Sequence, residues 1–461
     1  MGTLQETATE VVRRLGAAGY EAYLVGGCVR DLLLGREPAD YDVATNATPE
    51  AVTRLFPRTL TVGARFGVVL VLVEGQQVEV ATFRSDHGYK DGRHPEAVRF
   101  AQSPEEDVRR RDFTINGLLY DPLKEKILDF VGGQDDVRRG VIRTIGNPRE
   151  RFAEDKLRML RAVRFAARFG YRIEPETFAA IRKLCSAIEE VSKERIRDEW
   201  VKMLTEGRAR RALELLDASG LLAVILPEVA RMKGVPQPPQ FHPEGDVWVH
   251  TLLMLEKMDQ PSPTLALGVL LHDVGKPPTF RPPGAGSDRI RFDQHADVGA
   301  AMAEEICRRL RFSNDEIERV TALVRHHLRF KDAPKMRPST LKRFLALDGF
   351  AEHLELHRLD CLASHGQLEN YHFIQQALAT LPPKEIRPAR LLTGHDLIAL
   401  GYPPGPAMGK ILAAVEEAQL EGTLTTQEEA RAFVEKNFAA AKGSTVKRGG
   451  SSAKLDTPKE H

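Results

Sequence analysis

Apolar positions recur with two periods along this chain, and the change of period divides it. Residues 4–19 show helical spacing and stop at Gly19. Short extended runs follow. Glu21–Val25 predicts a strand broken by Gly26 and Gly27, and Val29–Leu34 reads as the start of a helix. Y-D-V-A-T at 41–45 predicts a strand, as do G-V-V-L-V-L-V at 67–73 and Q-V-E-V-A-T-F at 77–83, joined as a hairpin across Glu74 and Gly75. Residues 84–100 read as a charged loop punctuated by Gly88, Gly92 and Pro95. Strands at Ile127–Phe130 and 141–146 close this first region. From Arg151 the period becomes helical. Arg151–Gly170 predicts one amphipathic helix, with Met159, Leu160, Val163 and Ala167 on its apolar arc and Asp155, Arg158 and Arg161 on the other face. Helical patterns run on to 235, where the proline-rich stretch 235–245 predicts a linker and a domain boundary. The chain is helical again from Val247, and residues 442–461 have a disordered composition. The expected fold is α+β: a small mixed-sheet domain over 1–146, a helical neck over 147–235, a helical metal domain over 236–380, a C-terminal helical region over 381–441, and a tail.

Composition sets bounds on this picture. A length of 461 residues implies more than one core, and 42% hydrophobic residues excludes wholesale disorder. The net charge of +1 averages unlike regions: residues 107–172 hold 16 Lys and Arg against 10 Asp and Glu, a local excess that suits a polyanion or a solvated helix face. Cys28, Cys185, Cys307 and Cys361 are scattered without a C-x-x-C pair, which argues for a reducing compartment and against zinc–thiolate sites. The N-terminus lacks the pattern of a signal peptide, and no apolar run approaches the ~18 residues of a membrane helix. A cytoplasmic protein without membrane contact is expected.

The candidate chemistry starts at Tyr23–Thr45. A strand, a glycine turn and a helix start gather free backbone N–H groups suited to phosphate, with Arg30 alongside. Asp40 and Asp42 flank Tyr41, so in a strand both face one side. Two such carboxylates repel unless a cation lies between them, and Mg2+ is held by carboxylates and substrate phosphate oxygens. A polar turn is the alternative. Glu79 interrupts its strand's apolar alternation and is either a third carboxylate of that site or an outward-facing residue. In R-R-R-D-F-T-I-N, Arg111 suits phosphate or ribose oxygens, while Asp112 and Asn116 suit sugar contacts or backbone ties. An aspartate accepting from an exocyclic amine beside an arginine donating to a ring nitrogen would select cytosine and adenine together, because uracil and guanine place a carbonyl there. Asp155 and Arg158 have those types, although from the spacing alone an i, i+3 surface salt bridge is the commoner reading.

L-V-G-G-C-V-R-D-L-L-L-G with D-Y-D-V-A-T, then R-R-D-F-T-I-N, then E-D-K-L-R-M-L-R-A-V-R-F occur in this order over about 200 residues. Together they resemble the class II tRNA nucleotidyltransferases, the bacterial CCA-adding enzymes and the related poly(A) polymerases. The resemblance implies a polymerase-beta-like head followed by helical neck, body and tail. It implies Mg2+ on catalytic Asp40 and Asp42; Glu79 stays a candidate third carboxylate from its place in the strand pattern alone. Gly27, Arg30 and Arg111 match nucleotide contacts, Asp155 and Arg158 an amino-acid template for the base, and Arg161 and Arg164 supports for the triphosphate. The implied partners are tRNA, CTP and ATP. A poly(A) polymerase is the alternative within the family. The full-length 84–100 segment fits an enzyme able to add A, G-A-R-F-G-V-V at 63–69 looks closer to the tRNA enzymes, and residues 442–461, with five Lys and Arg against two acids, are only mildly basic.

The second half carries His250, His272 with Asp273, His295, His326 and Asp360 in an order that resembles the HD metal-dependent phosphohydrolases. A His–Asp pair on an apolar helix is costly to bury without a metal or partner, and this donor set suits a divalent transition metal. That site implies phosphoester hydrolysis or a helical domain that only supports RNA. A chain that is chiefly an HD phosphohydrolase with an RNA-binding first half is the reading from another functional class.

Overall fold

The computed structural model describes residues 2–60, 67–89, 95–101, 103–284 and 289–439. Residues 63–66 of the G-A-R-F stretch and the tail 442–461 lie outside them.

The chain begins with α1 (Leu4–Ala17), whose N-terminus is closed by a reciprocal Thr3–Glu6 capping box. Then come β1 (Ala22–Val25), α2 (Gly27–Leu33), β2 (Asp42–Thr45), α3 (Pro49–Leu55), β3 (Thr59–Leu60), β4 (Val68–Val73) and β5 (Gln76–Thr82). Among the described residues seven strands make one mixed sheet, in the order β3-β4-β5-β2-β1, then β8 (Leu118–Asp121) and β9 (Lys126–Asp129). β1 runs antiparallel to β2, whereas β2 runs parallel to β5 with Asp42 opposite Glu79. Val78, Val80 and Thr82 of β5 are buried and Gln77 and Glu79 exposed, so the interruption at Glu79 marks the outward face of a two-period strand. Apolar residues of α1 and of the sheet (Val11, Leu15, Leu24, Val43, Val80) are fully buried.

The segment expected to be a loop at 84–100 instead pairs as β6 (Arg84–Tyr89) antiparallel to β7 (Pro95–Phe100), outside the main sheet, and residues 90–94 lie outside the description. A two-stranded ribbon is held by backbone pairing and needs no apolar alternation, so little in its sequence announces it.

α4 (Pro104–Arg109) leads to a tight turn at Thr114–Asn116, and α5 (Gly133–Arg139) packs on that turn. The contact requires Gly133: a Cβ there would stand 2.2 Å from the carbonyl oxygen of Thr114. The predicted helix 151–170 is two helices, α6 (Pro148–Glu154) and α7 (Leu157–Phe169), with Asp155 extended between them. The break has a local cause. Asp155 Oδ1 accepts the N–H of Leu157 at 3.1 Å, so the side chain replaces the helical pattern at that point and starts α7. α8 (Pro175–Leu184), α9 (Lys193–Thr205) and α10 (Ala209–Ser219) complete the helical layer around α7, whose Met159, Leu160, Val163 and Ala166 are fully buried.

The chain forms two compact units, 1–327 with 359–366 and 328–358 with 367–461. The expected boundary at 235–245 is not where they divide. That stretch is tied into the first unit, since Gln237 is buried with its Oε1 accepting from Lys276 Nζ, and Val247 donates its N–H to the Val235 carbonyl at 3.1 Å. Asp360 returns to the first unit near the end of the helix Phe350–Ala363. The second unit has its own apolar core of Leu392, Leu397, Tyr402, Ile411, Val415, Ala430 and Val434. The 393–412 stretch therefore contributes the helix Gly394–Ala399 and the start of Pro406–Leu420 to that core. No described helix is long and apolar enough to cross a membrane.

Candidate functional site

A cleft of about 600 Å³ opens between the carboxylate end of the sheet and α7. Gly26, Gly27, Arg30, Asp40, Asp42, Arg111, Asp112, Asp155, Arg158 and Arg161 all line it. The structure therefore gathers into one cavity residues that span more than a hundred positions of sequence.

Asp42 opens β2, while Asp40 stands just before the strand and is exposed. Both line the cleft although only Asp42 belongs to the strand, so strand alternation does not bring them together. Burial, then the Glu79 and Asp40 carboxylates, push Asp42 up to about 6, with Arg111 opposing them. Glu79 shares a smaller adjoining pocket with Asp42 and Arg111. A half-buried carboxylate raised by two neighbours of like charge is a donor set short of positive charge, which a divalent cation fits.

The cationic wall is held by a relay. Asp107 is buried and takes Arg110 at 2.7 Å and Arg111 at 3.0 Å. Burial opposes its charge, yet Arg111 and Arg110 hold its carboxyl below the usual range. Gly26, beside Arg111, has a φ of +77°, which suits glycine. Asp107→Asn is expected to cost about 3 kcal/mol in urea unfolding, because it strands two guanidinium groups beside a neutral amide. A change under about 1 kcal/mol would contradict that account.

Arg30 is buried. It donates to Asn116 Oδ1 at 2.7 Å and lies over the Phe169 ring at 4.4 Å. Asn116 in turn donates to Asp112 Oδ1 at 3.1 Å, and Arg161 donates to Asp112 Oδ2 at 2.6 Å. Asp112 is thus bound to protein on both oxygens, and its Oδ1 also accepts the N–H of Phe113 at 2.8 Å. Burial opposes its ionisation, but Arg161 and Asn116 hold it at about 2. A folded pKa below the unfolded value of about 3.9 gives stability that is complete above that value and disappears as pH falls through 2. Wild type should exceed Asp112→Asn by about 2 kcal/mol at pH 7, and the gap should close between pH 4 and 2 in acid unfolding. A gap independent of pH there would contradict the pairing.

Asp155 and Arg158 do not pair with each other. Asp155 Oδ2 accepts from Arg195 of α9 at 2.9 Å, while Arg158 Nη1 donates to Glu154 Oε2 at 2.7 Å and to the Arg151 carbonyl at 3.0 Å. The i, i+3 salt bridge is replaced by two separate clamps, which leave both groups facing the cleft. Arg151 donates to the Arg111 carbonyl at 2.8 Å and also bonds the Arg110 carbonyl, which ties the R-R-D loop to α6. Arg164 departs from expectation. It is buried, pairs with Glu199 at 2.6 Å, and is absent from the cleft lining, because its position on α7 turns it toward α9. Arg36, Arg110 and Arg168 take part in the lining instead. The basic run 109–111 pointed to Arg110; Arg36 and Arg168 had no signal beyond being charged.

The second cluster lies elsewhere in the same unit. His250, on the helix Val247–Lys257, contacts Asp360 Oδ1 at 3.1 Å and Glu244 Oε1 at 2.7 Å. Burial works against protonation, but those two carboxylates raise His250 to about 9. His272 and Asp273 follow the apolar helix Pro263–Leu271, and Asp273 is the hub, with His272 Nε2 at 3.2 Å and His295 Nε2 at 3.6 Å. Of the adjacent pair 326–327, the structure places His327 in the cluster, with its Nε2 3.8 Å from Asp273 Oδ1 and 3.3 Å from His295 Nε2. The choice of His326 is corrected: the two differ by 100° around the helix end, and only His327 is buried. Glu244, Lys276 and Gln237 also border the cluster, and the sequence reading had assigned them no part in it.

Three family models match the chain: the Poly A polymerase head domain over residues 22–143, the RNA and SrmB-binding site of polymerase A over 170–233, and tRNA nucleotidyltransferase domain 2 over 292–434. The CCA-adding enzyme of Enterococcus faecalis is 34% identical over 423 residues, spanning 92% of this chain and 93% of that protein. That of Geobacillus kaustophilus is 46% identical over 220 residues, 48% of this chain and 54% of that protein. The solved structure of the Bacillus stearothermophilus CCA-adding enzyme in complex with CTP matches with a TM-score of 0.73 at 28% identity, over 95% of this chain and 99% of that one.

Proposed function

This chain belongs to the family of the CCA-adding enzymes and is a nucleotidyltransferase, and we propose that it adds C and A to the 3′ end of tRNA from CTP and ATP, without a nucleic-acid template and with release of pyrophosphate. The observation that carries this reading is the sharing of one cleft, which Asp40 and Asp42 line together with Asp155 and Arg158.

The tRNA 3′-hydroxyl oxygen attacks the α-phosphorus of the nucleotide, the bond to the pyrophosphate breaks, and the hydroxyl proton is lost. Asp40 and Asp42, with Glu79 beside them, would hold Mg2+, which supplies Lewis-acid stabilisation of the charge that develops on the phosphoryl oxygens. The chain's own groups do the rest. Arg111 and Arg161 face the triphosphate, each oriented by a buried aspartate, Asp107 and Asp112. Gly27 and Arg30 line the same cleft beside them. Asp155 and Arg158 read the base edge.

Labelled CTP and ATP offered with tRNAs ending before CCA and after C-C, and with unrelated RNA, test the proposal. Sequential C, C and A on the first, and A on the second, are expected. No transfer to any tRNA overturns it, and long A tracts made from ATP alone on unrelated RNA would favour a poly(A) polymerase.

The second cluster supports a further reading, a divalent transition-metal centre of the HD type that hydrolyses phosphate esters. The buried, unpartnered Nε2 of His272 and both oxygens of Asp273 favour it over a purely structural domain.

A further inference from the structure

Seven arginines line the nucleotide cleft, and six of them are paired with carboxylates. Asp31 takes Arg30 at 2.9 Å, and Asp107 takes both Arg110 and Arg111. Glu154 takes Arg158 at 2.7 Å, Asp112 takes Arg161 at 2.6 Å, and Glu206 takes Arg168 at 3.1 Å. Arg36 differs. It is exposed, and among the described residues its guanidinium makes no ion pair or hydrogen bond, not even with Glu37 of the same cleft. Its Cζ lies 5.6 Å from the centroid of the Phe169 ring.

The backbone fixes where that group stands. α2 ends in a Schellman arrangement, with the Gly35 N–H on the Leu32 carbonyl at 3.0 Å and the Arg36 N–H on the Asp31 carbonyl at 2.9 Å. This turn delivers Arg36 to the C-terminal end of α7, where Arg168 also lies over Phe169 at 5.5 Å. The cleft residues of α7 follow one another along its axis. Asp155 and Arg158 stand around its start, Arg161 comes a turn later, and Arg168 is about 15 Å along the axis from Arg158. An extended nucleoside triphosphate has a similar length, with the base at one end and the γ-phosphate at the other. With the base at Asp155 and Arg158 and the inner phosphate near Arg161, the outer phosphates reach Arg36 and Arg168.

We infer that Arg36 binds the β- and γ-phosphates and stays with the pyrophosphate as it leaves. This rests on the reading of the cleft as a nucleotide-transfer site. The paired arginines have spent donors on their carboxylates. Arg36 keeps its N–H donors, in the fork that takes two phosphate oxygens at once. When the bond from the α-phosphorus to the leaving oxygen breaks, its electron pair goes to the β-phosphate, and Arg36 meets the charge that appears there. An exposed side chain held by an aromatic face alone can move with the product while the ion-paired arginines keep their places.

Calorimetry of the full-length protein with inorganic pyrophosphate in Mg2+ buffer, without tRNA, tests the assignment. Arg36→Ala is expected to weaken pyrophosphate binding about tenfold, the scale of one charge-assisted contact. Arg36→Lys, which keeps the charge but not the fork, should fall between the two. In steady state with a tRNA lacking CCA, Arg36→Ala should raise the inhibition constant of pyrophosphate by the same factor and lower kcat/KM for CTP and ATP alike. The preference for CTP over UTP and the KM for tRNA should not change. Thermal melts show that each variant is folded. Equal pyrophosphate affinity in the unmodified protein and Arg36→Ala overturns the inference, as does no pyrophosphate binding to the unmodified protein. A raised KM for tRNA with pyrophosphate inhibition unchanged overturns it too and makes Arg36 an RNA contact. Failure of the unmodified protein to extend any tRNA overturns the tRNA reading alone, because the calorimetry still decides the role of Arg36.

Discussion

Asp42→Asn is expected to lower C and A addition to tRNA by at least about a thousandfold in kcat/KM, equivalent to about 4 kcal/mol of transition-state stabilisation, while leaving the protein folded. An amide is a poor ligand for Mg2+ and leaves Asp40 and Glu79 to hold it alone. The same substitution should raise the thermal midpoint of the metal-free protein. Asp42 is held up to about 6 by burial and by Glu79 and Asp40. Its charged form is therefore disfavoured by the folded state at neutral pH, by an amount on the order of 2 kcal/mol that disappears as pH falls through the unfolded value near 3.9. Loss of activity together with a gain in metal-free stability is the signature of a site that trades stability for chemistry. Steady-state kinetics with a tRNA lacking CCA and melts in chelator measure the two halves. Activity within tenfold of wild type would remove Asp42 from the chemistry.

The second large effect concerns which base is chosen. Asp155→Asn should cut the preference for CTP over UTP by about 10- to 100-fold, in line with 1–3 kcal/mol for a bidentate base contact. Asparagine is the informative replacement because its carbonyl can keep capping Leu157 N–H, as Asp155 Oδ1 does at 3.1 Å. The new amide N–H group can donate to the carbonyl of uracil, which the carboxylate repels. Arg158→Ala should reduce the preference too, by removing the donor that Glu154 and the Arg151 carbonyl hold in place. Measured kcat/KM for the four nucleotides decides. A uniform fall for all four, with the preference intact, would make Asp155 a helix cap and nothing more.

The legible parts of this molecule were those written in short spans. The alternation in 67–83 announced the β4–β5 hairpin, and Asp40 and Asp42 are close enough in sequence to share a cleft under either backbone geometry. What escaped the reading depends on contacts that periodicity does not show. Asp155 was assigned to the middle of a helix because its neighbours have helical periodicity, and only its contacts with Leu157 N–H and Arg195 explain the break. Arg164 shares its spacing with Arg161, yet three residues along α7 turn it from the cleft to Glu199. His326 and His327 cannot be told apart by composition, and burial separates them. The proline-rich stretch 235–245 had the chemistry of a linker, but Glu244 and Gln237 fold in beside the histidine cluster.

The bonds from Arg151 to the backbone carbonyls of Arg110 and Arg111 bear on how this architecture could be recombined. A crossover at residue 146 would look natural, since the run of helices that begins with α6 starts just after it. It would join one protein's R-R-D loop to another's α6, and so pair a triphosphate wall with a base reader whose alignment was set against a different backbone. Hybrids cut after Thr205, beyond α9, would keep loop, clamps and reader from a single parent, since Arg195 of that helix holds Asp155. The unit of inheritance for this site is thus longer than the sheet domain, and exchange of whole specificities between relatives should succeed more often at the later seam than at the earlier one.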